Sequence, residues 1–198
     1  MDTTGSVEIR TVTENDASAL LSVYAPYVEK TAISFEYEVP SKEEFAQRIR
    51  TVLKKYPYIA AVENGHITGY AYAGAFNTRQ AYDHSVEMTV YIEESQRRHG
   101  LGCLLYRKME ELLKQQGVLN LNACIGYTPR EHDPHLTNAS MHFHEHMGFR
   151  LVGTFEKCGY KFDAWYDMVW MEKLIGNHTC PAPAFKTFPE IKDSCGIL

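Results

Sequence analysis

The chain has 198 residues, 44% hydrophobic and 23% charged, which suits one globular domain with its own core and excludes a mainly disordered chain. Lys and Arg number 20 against 25 Asp and Glu, a formal net charge of −5, so the basic footprint of a nucleic-acid binder is missing and no nucleic-acid partner is expected. No run approaches the roughly 20 apolar residues of a membrane span, and Met1 to Gly5 carry neither half of a signal peptide, so a cytoplasmic chain without a membrane partner is expected.

Residues 7–12 alternate in polarity and predict a first strand. Thr13, three before Asp16, has the look of a helix N-cap. Ala17, Leu20, Leu21 and Tyr24 follow at helical spacing, and Pro26 is expected to end or bend that helix. Ser41 to Glu44 after Pro40 reads as a capping box, with Phe45, Ile49, Val52 and Leu53 as the apolar stripe behind it. Residues 58–63 and 66–75 predict two strands joined by an Asn64-Gly65 hairpin turn, and 84–92 predict another. Gly100-Leu101-Gly102 opens a helix with Leu101, Leu104, Leu105, Met109, Leu112 and Leu113 on its apolar face, closed by Gly117. A strand over 118–125, a polar loop over 126–136, a short helix over 138–147, and strands over 149–156 and 165–173 complete the body. Residues 1–175 are expected to form this domain. Residues 176–198, with Pro181, Pro183 and Pro189 but no periodicity, are expected to drape over the body or a partner, or to be disordered. The order of elements predicts an α/β fold with an antiparallel half-sheet and a parallel crossover around 84–125.

The most informative segment is the run from Val86 to Ile92, followed by Arg97-Arg98-His99-Gly100-Leu101-Gly102. A strand enters a glycine-containing turn and a long helix starts at once. The first N–H groups of a helix lack internal partners and carry the positive end of its dipole, so this turn can cradle a diphosphate. An ordinary glycine-capped helix start reads the same way on the loop alone. It is neither the GxGxxG dinucleotide fingerprint nor a P-loop.

Arg97-x-x-Gly100-x-Gly102 between strand and helix resembles the pyrophosphate loop of the GNAT superfamily of acyl-CoA N-acyltransferases. Four further segments resemble its phosphinothricin acetyltransferase branch, which includes enzymes acetylating methionine sulfone or sulfoximine. They are Tyr70 to Gly74; Arg79-x-Ala81-Tyr82-Asp83 with Val86-Glu87-x-Thr89-Val90-Tyr91; Phe143 to Phe149; and Gly159-Tyr160-Lys161 with Trp165. The resemblance spans about residues 7–174. It implies a GNAT fold: a central mixed, twisted sheet flanked by helices and splayed where coenzyme A enters.

The resemblance also implies a reaction, transfer of acetyl from acetyl-CoA to the amino group of a small amino acid-like acceptor. Thr89, Val90 and Tyr91 would bond the pantetheine arm. Arg97, Arg98, His99, Gly100, Leu101 and Gly102 would hold the diphosphate. Glu87 would be the general base that takes the proton from the ammonium. His144 would orient Glu87 or protonate the leaving thiolate; a packed helix histidine is the plain alternative. Phe76, Asn77, Thr78, Arg79, Tyr82 and Val86 would line the acceptor site with Glu87, and Lys161 and Trp165 lie near it or pack. Two departures stand out. Asn77 replaces a lysine of phosphinothricin acetyltransferase, and Thr137 replaces an asparagine that would contact pantetheine, with Asn138 one place on, so Thr137 or Asn138 would make that contact.

Five histidines fall within residues 132–146, and His142 and His146 are four apart, but no HExxH motif is present and no metal is expected. Cys103, Cys124, Cys158, Cys180 and Cys195 are odd in number, widely spaced and without CxxC, so free thiols are expected. Phe185 and Phe188 in an otherwise polar tail suggest a homodimer contact. Two other functions fit the sequence: acetylation of a different amine, such as a polyamine, an aminoglycoside or a protein N-terminus, and a non-catalytic acyl-CoA sensor.

Overall fold

The structure, a computed structural model, describes residues 7–197. Seven strands form one mixed sheet: β1 (Glu8–Thr11), β2 (Tyr58–Glu63), β3 (His66–Ala75), β4 (Ser85–Ile92), β5 (Asn120–Tyr127), β6 (Arg150–Lys161) and β7 (Ala164–Leu174). Their spatial order is β1-β2-β3-β4-β5-β7-β6. Every neighbouring pair is antiparallel except β4 and β5, joined by the expected parallel crossover. That crossover is α3 (Leu101–Gln116). Helices α1 (Ala17–Lys30) and α2 (Lys42–Leu53) cover the other face of the β1–β4 half, and α4 (Ala139–His146) follows β5.

The period-2 alternation of the strands builds both layers. On β2, Tyr58 and Ala60 pack with Leu20, Tyr24, Phe45 and Ile49 beneath α1 and α2. Ile59 and Ala61 face the opposite way, toward Leu105, Met109 and Leu112 of α3. Leu104, expected on the apolar face of α3, is exposed: the contact stripe runs through Leu101, Leu105, Met109, Leu112 and Leu113, and Leu104 falls outside it. Ser41 caps α2 by accepting from the Glu44 N–H at 3.1 Å, while the Glu44 carboxylate turns to Arg48 instead of closing the box.

Two expectations are corrected, and of the alternatives for the tail, draping over the body is the one seen. Pro26 neither ends α1 nor stands at its end: the helix runs on to Lys30, giving up one N–H, and stops where Thr31 becomes extended. Strand β6 extends past residue 156 to Lys161, through a register irregularity between Phe155 and Gly159. The tail folds onto the body of this same chain. A short helix, α5 (Phe188–Ile191), buries Phe188 and Ile191 in the α3-side core. The Gln116 amide donates to the carbonyls of Lys55 and Lys186, both at 2.8 Å. The tail passes so close to Gly117, at φ +86°, that a Cβ there would lie 2.5 Å from the Ala184 carbonyl oxygen. Phe185 packs on Tyr56 and His84. The two phenylalanines that suggested a dimer contact are thus used inside the chain.

Phe188, 2% exposed, makes the tail part of the core. Phe188→Ala is expected to cost about 3 kcal/mol in urea unfolding. A loss below about 1 kcal/mol would show that the tail only rests on the surface.

Candidate functional site

Strands β4 and β5 pair only at their beginnings, Ser85 with Asn120, Val86 with Leu121 and Glu87 with Asn122. Beyond that point β4 stays bonded to β3 as far as Ile92 opposite Gly69, and β5 stays bonded to β7 as far as Tyr127 opposite Asp167. The inner edges of the two strands part, and a cleft of about 270 Å³ opens between them. Glu87, Thr89, Val90, Tyr91, Cys124, Tyr106 and His144 are among its walls.

Clamps hold both lips. The Tyr27 hydroxyl accepts from the Ile92 N–H at 3.1 Å and donates to the Ile92 carbonyl at 2.5 Å, tying the end of β4 to α1. The Asn138 side chain accepts from the Thr128 N–H at 3.2 Å and donates to the Thr128 carbonyl at 2.8 Å, tying the end of β5 to α4. Asn138 is therefore engaged with the protein backbone, and Thr137 is exposed.

Glu87 is half-buried, and burial raises its carboxyl above the ordinary range. Val86, expected beside the acceptor, is fully buried and faces α3, because neighbours on a strand point to opposite faces. His144 is 3% exposed. Its Nδ1 lies 2.7 Å from the Ser140 carbonyl, which can only accept, so Nδ1 carries the proton. Nε2 is then the acceptor for the Tyr106 hydroxyl at 2.7 Å. Burial pushes the imidazole down to about 4 and the Tyr106 phenol up, so at neutral pH both are uncharged and the histidine has no Nε2 proton to give.

At the far end of β4, Arg97, Arg98 and His99 are exposed beside the start of α3. Gly100, at φ +81°, takes the left-handed conformation that glycine adopts without strain. The helical ladder begins with Leu104 N–H to Gly100 carbonyl at 3.1 Å, leaving the N–H groups of Leu101, Gly102 and Cys103 without intrahelical acceptors. The Leu101 side chain is buried in the core, so only its backbone faces the turn. The Arg97 guanidinium stacks over the Tyr27 ring, 4.7 Å from its centroid. Open strand edge and exposed helix start fit an elongated ligand that carries amides at one end and a diphosphate at the other.

The remaining expected residues lie elsewhere. Phe76, Asn77, Thr78, Arg79 and Tyr82 are exposed on the segment after β3, past the Gly74–Glu87 pair, and none walls the cleft. Phe76 packs edge-on against Trp170 and beside Tyr82. Among the described residues Arg79 makes no ion pair. Lys161 is not a pocket cation. Its buried ammonium donates to the carbonyls of Val28, Thr31 and Ser34 at 2.7, 2.9 and 2.7 Å, capping the end of α1 and fixing the connection to α2. Trp165 is 58% exposed and does not pack into the core. Cys103 packs against the core, whereas Cys124 reaches the cleft, where burial pushes its thiol up to about 12, the reverse of an activated nucleophile. His142 pairs with Glu145, and among the described residues no group of three or more His, Cys, Asp or Glu is arranged to hold a metal.

Glu36, Tyr72, Cys124 and Tyr106 were not expected in the cleft from the sequence. Tyr106 had a signal, since it falls one place after Leu105 in the α3 stripe, but nothing local told its hydroxyl from packing surface. Glu36 reaches the cleft from the α1–α2 connection, which has no periodicity to read.

Residues 9–170 match the acetyltransferase (GNAT) domain. The chain is 32% identical to phosphinothricin N-acetyltransferase of Streptomyces viridochromogenes over 89% of this chain and 91% of that protein. It is 26% identical to L-methionine sulfoximine/L-methionine sulfone acetyltransferase of Salmonella typhimurium over 87% and 97%. Among solved structures, the phosphinothricin acetyltransferase of Sinorhizobium meliloti in complex with acetyl-CoA superposes with a TM-score of 0.82 at 28% identity, covering 93% of this chain and 96% of that one.

The protonation of His144 is measurable. Its folded value of about 4 lies below the unfolded 6.5, so the unfolded state binds more protons between them. Stability from this site is full above about 6.5 and is lost as pH falls toward about 4. Nitrogen NMR is expected to show a neutral, Nδ1-protonated His144 from about pH 6 to about 8. A titration midpoint near 6.5 would contradict the buried tautomer.

Proposed function

Because the chain belongs to the GNAT acetyltransferase family, we propose that it transfers acetyl from acetyl-CoA to the amino group of a small amino acid-like acceptor, with Glu87 as general base. The observation that carries this reading is the place of Glu87: a half-buried carboxylate where β4 and β5 part, inside the cleft the strands form.

Bound acetyl-CoA supplies a thioester carbon for the amine to attack, with the thiolate as leaving group. The rest of the mechanism belongs to this chain. Gly100 to Cys103 offer backbone N–H groups to the diphosphate, with Arg97, Arg98 and His99 adding donors around it. The free edge of β4 from Thr89 to Tyr91 bonds the pantetheine arm as a neighbouring strand would and aims the acyl end at Glu87. Glu87 takes a proton from the acceptor ammonium, directly or through one water, leaving the nucleophilic free amine. Its raised carboxyl brings its affinity for that proton closer to the operating pH. His144 acts as a positioning residue: it holds the Tyr106 phenol in the cleft wall and keeps that wall uncharged. Thr137 and Asn138 act on the cofactor arm only through the strand end that Asn138 secures.

Arg79, without a carboxylate partner among the described residues, receives the acceptor's anionic group from the segment after β3, past the Gly74–Glu87 pair, beside Phe76, Asn77, Thr78 and Tyr82. The names of the relatives support such acceptors, including phosphinothricin and methionine sulfone. The five free thiols support a cytoplasmic location.

Glu87→Gln is expected to lower kcat about a hundredfold or more while KM for acetyl-CoA stays within about threefold. Near-normal turnover would remove Glu87 from the base role. In the native protein the acid limb of kcat/KM should lie above the ordinary carboxylate value of 4.5, with activity falling as pH drops through it. A limb at or below that value would show that burial does not set the base.

A further inference from the structure

Beneath α1 and α2 lies a second cavity, of about 390 Å³, that the mechanism above leaves unused. Tyr58, Tyr70, Tyr72 and Phe45 line it, with Glu36 and Arg48 at its rim. It shares Tyr24, Glu36, Tyr72 and Tyr91 with the cleft of Glu87. Strand register explains this continuity. Gly74 pairs with Glu87, Tyr72 with Thr89, Tyr70 with Tyr91, and Tyr58 with Tyr72 from the other side. Paired residues point to one face of a sheet, so a row of side chains leads from Glu87 into the tyrosine cavity. Gly74 adds no side chain opposite Glu87, and a Cβ there would meet nothing within 4 Å.

The cavity's chemistry is aromatic and nearly uncharged. Burial raises the phenols of Tyr58, Tyr70 and Tyr72, so they stay neutral. Arg48 at the rim is held by Glu36 and Glu44, both at 2.6 Å. An anionic side chain entering here would lose its water and find the one rim cation already paired. A flat apolar ring would gain burial and ring-to-ring contact with the tyrosines.

We propose that this cavity is the side-chain subsite of the acceptor and that the preferred acceptor is an amino acid with an aromatic side chain. The inference rests on the acetyltransferase reading and sharpens it. The amine meets Glu87, the carboxylate faces the cleft mouth, and the ring enters past Tyr72 and Tyr24, which line both spaces. The reaction is unchanged: Glu87 takes the ammonium proton, the amine nitrogen bonds the acetyl carbon, the carbon–sulfur bond breaks, and the nitrogen's second proton leaves with the sulfur as the free thiol.

The test compares kcat/KM of the full chain with acetyl-CoA for L-phenylalanine, L-tryptophan, L-methionine sulfone, phosphinothricin and agmatine. Calorimetry of N-acetyl-L-phenylalanine binding runs beside it. The aromatic acceptors are expected to exceed the others by about tenfold or more. N-acetyl-L-phenylalanine should bind with a negative heat-capacity change. Thr51→Trp, at an exposed α2 position on the cavity wall, should shrink both the aromatic advantage and that binding. A preference for the sulfone, phosphinothricin or agmatine, or a ranking unmoved by Thr51→Trp, overturns the subsite and leaves the acetyltransferase reading standing. Binding of the N-acetyl compound without CoA release from any acceptor overturns the transferase reading, and with it the acceptor assignment, and leaves only an aromatic-binding cavity. Absence of both overturns the two together.

Discussion

The structure depends on one interruption of backbone pairing. β4 and β5 share three register pairs and then separate, while each remains fully bonded to its outer neighbour. An inner strand edge inside a protein carries N–H and C=O groups that need partners, so a sheet that opens this way requires a ligand or water to complete it. The opening is held from both sides, by the Tyr27 hydroxyl on Ile92 and the Asn138 amide on Thr128. Where the strands part stands Glu87. Where β4 ends, the chain turns through Arg97 to Gly102 into α3. One strand thus carries the proposed base, Glu87, near its start and leads at its end into the proposed anion cradle.

Burial decides which protons this site can move. It raises the Glu87 carboxyl and lowers His144, so the carboxylate gains proton affinity and the imidazole stays neutral. Hydrogen bonding then fixes the tautomer: the Ser140 carbonyl takes the Nδ1 proton, and the Tyr106 hydroxyl fills Nε2. The same accounting removes Lys161 from the acceptor site. Its charge is spent on three carbonyls near the end of α1, where it steadies the connection that brings Glu36 to the cleft.

Much of this was legible in sequence. The alternation of residues 84–92, the helical stripe from Leu101 and the glycines between them located the strand, turn and helix. Their resemblance to GNAT enzymes placed Glu87. Local patterning failed where distant partners decide the outcome. Lys161 reads as a cation near the acceptor site until α1 brings its carbonyls to it. Val86 reads as a pocket neighbour of Glu87 until strand alternation sends it into the α3 core. The tail has no periodicity, yet Phe188 is among the most buried side chains, because the groove it fills is made by α3 and the segment before β2.

Amide hydrogen exchange with and without coenzyme A tests the central claim most directly. The open edge of β4 over residues 88–91 and the turn and helix start over residues 100–104 should both gain protection, while residues 85–87, already paired with β5, should not. Protection confined to other surfaces, with these two segments unchanged, would contradict the account.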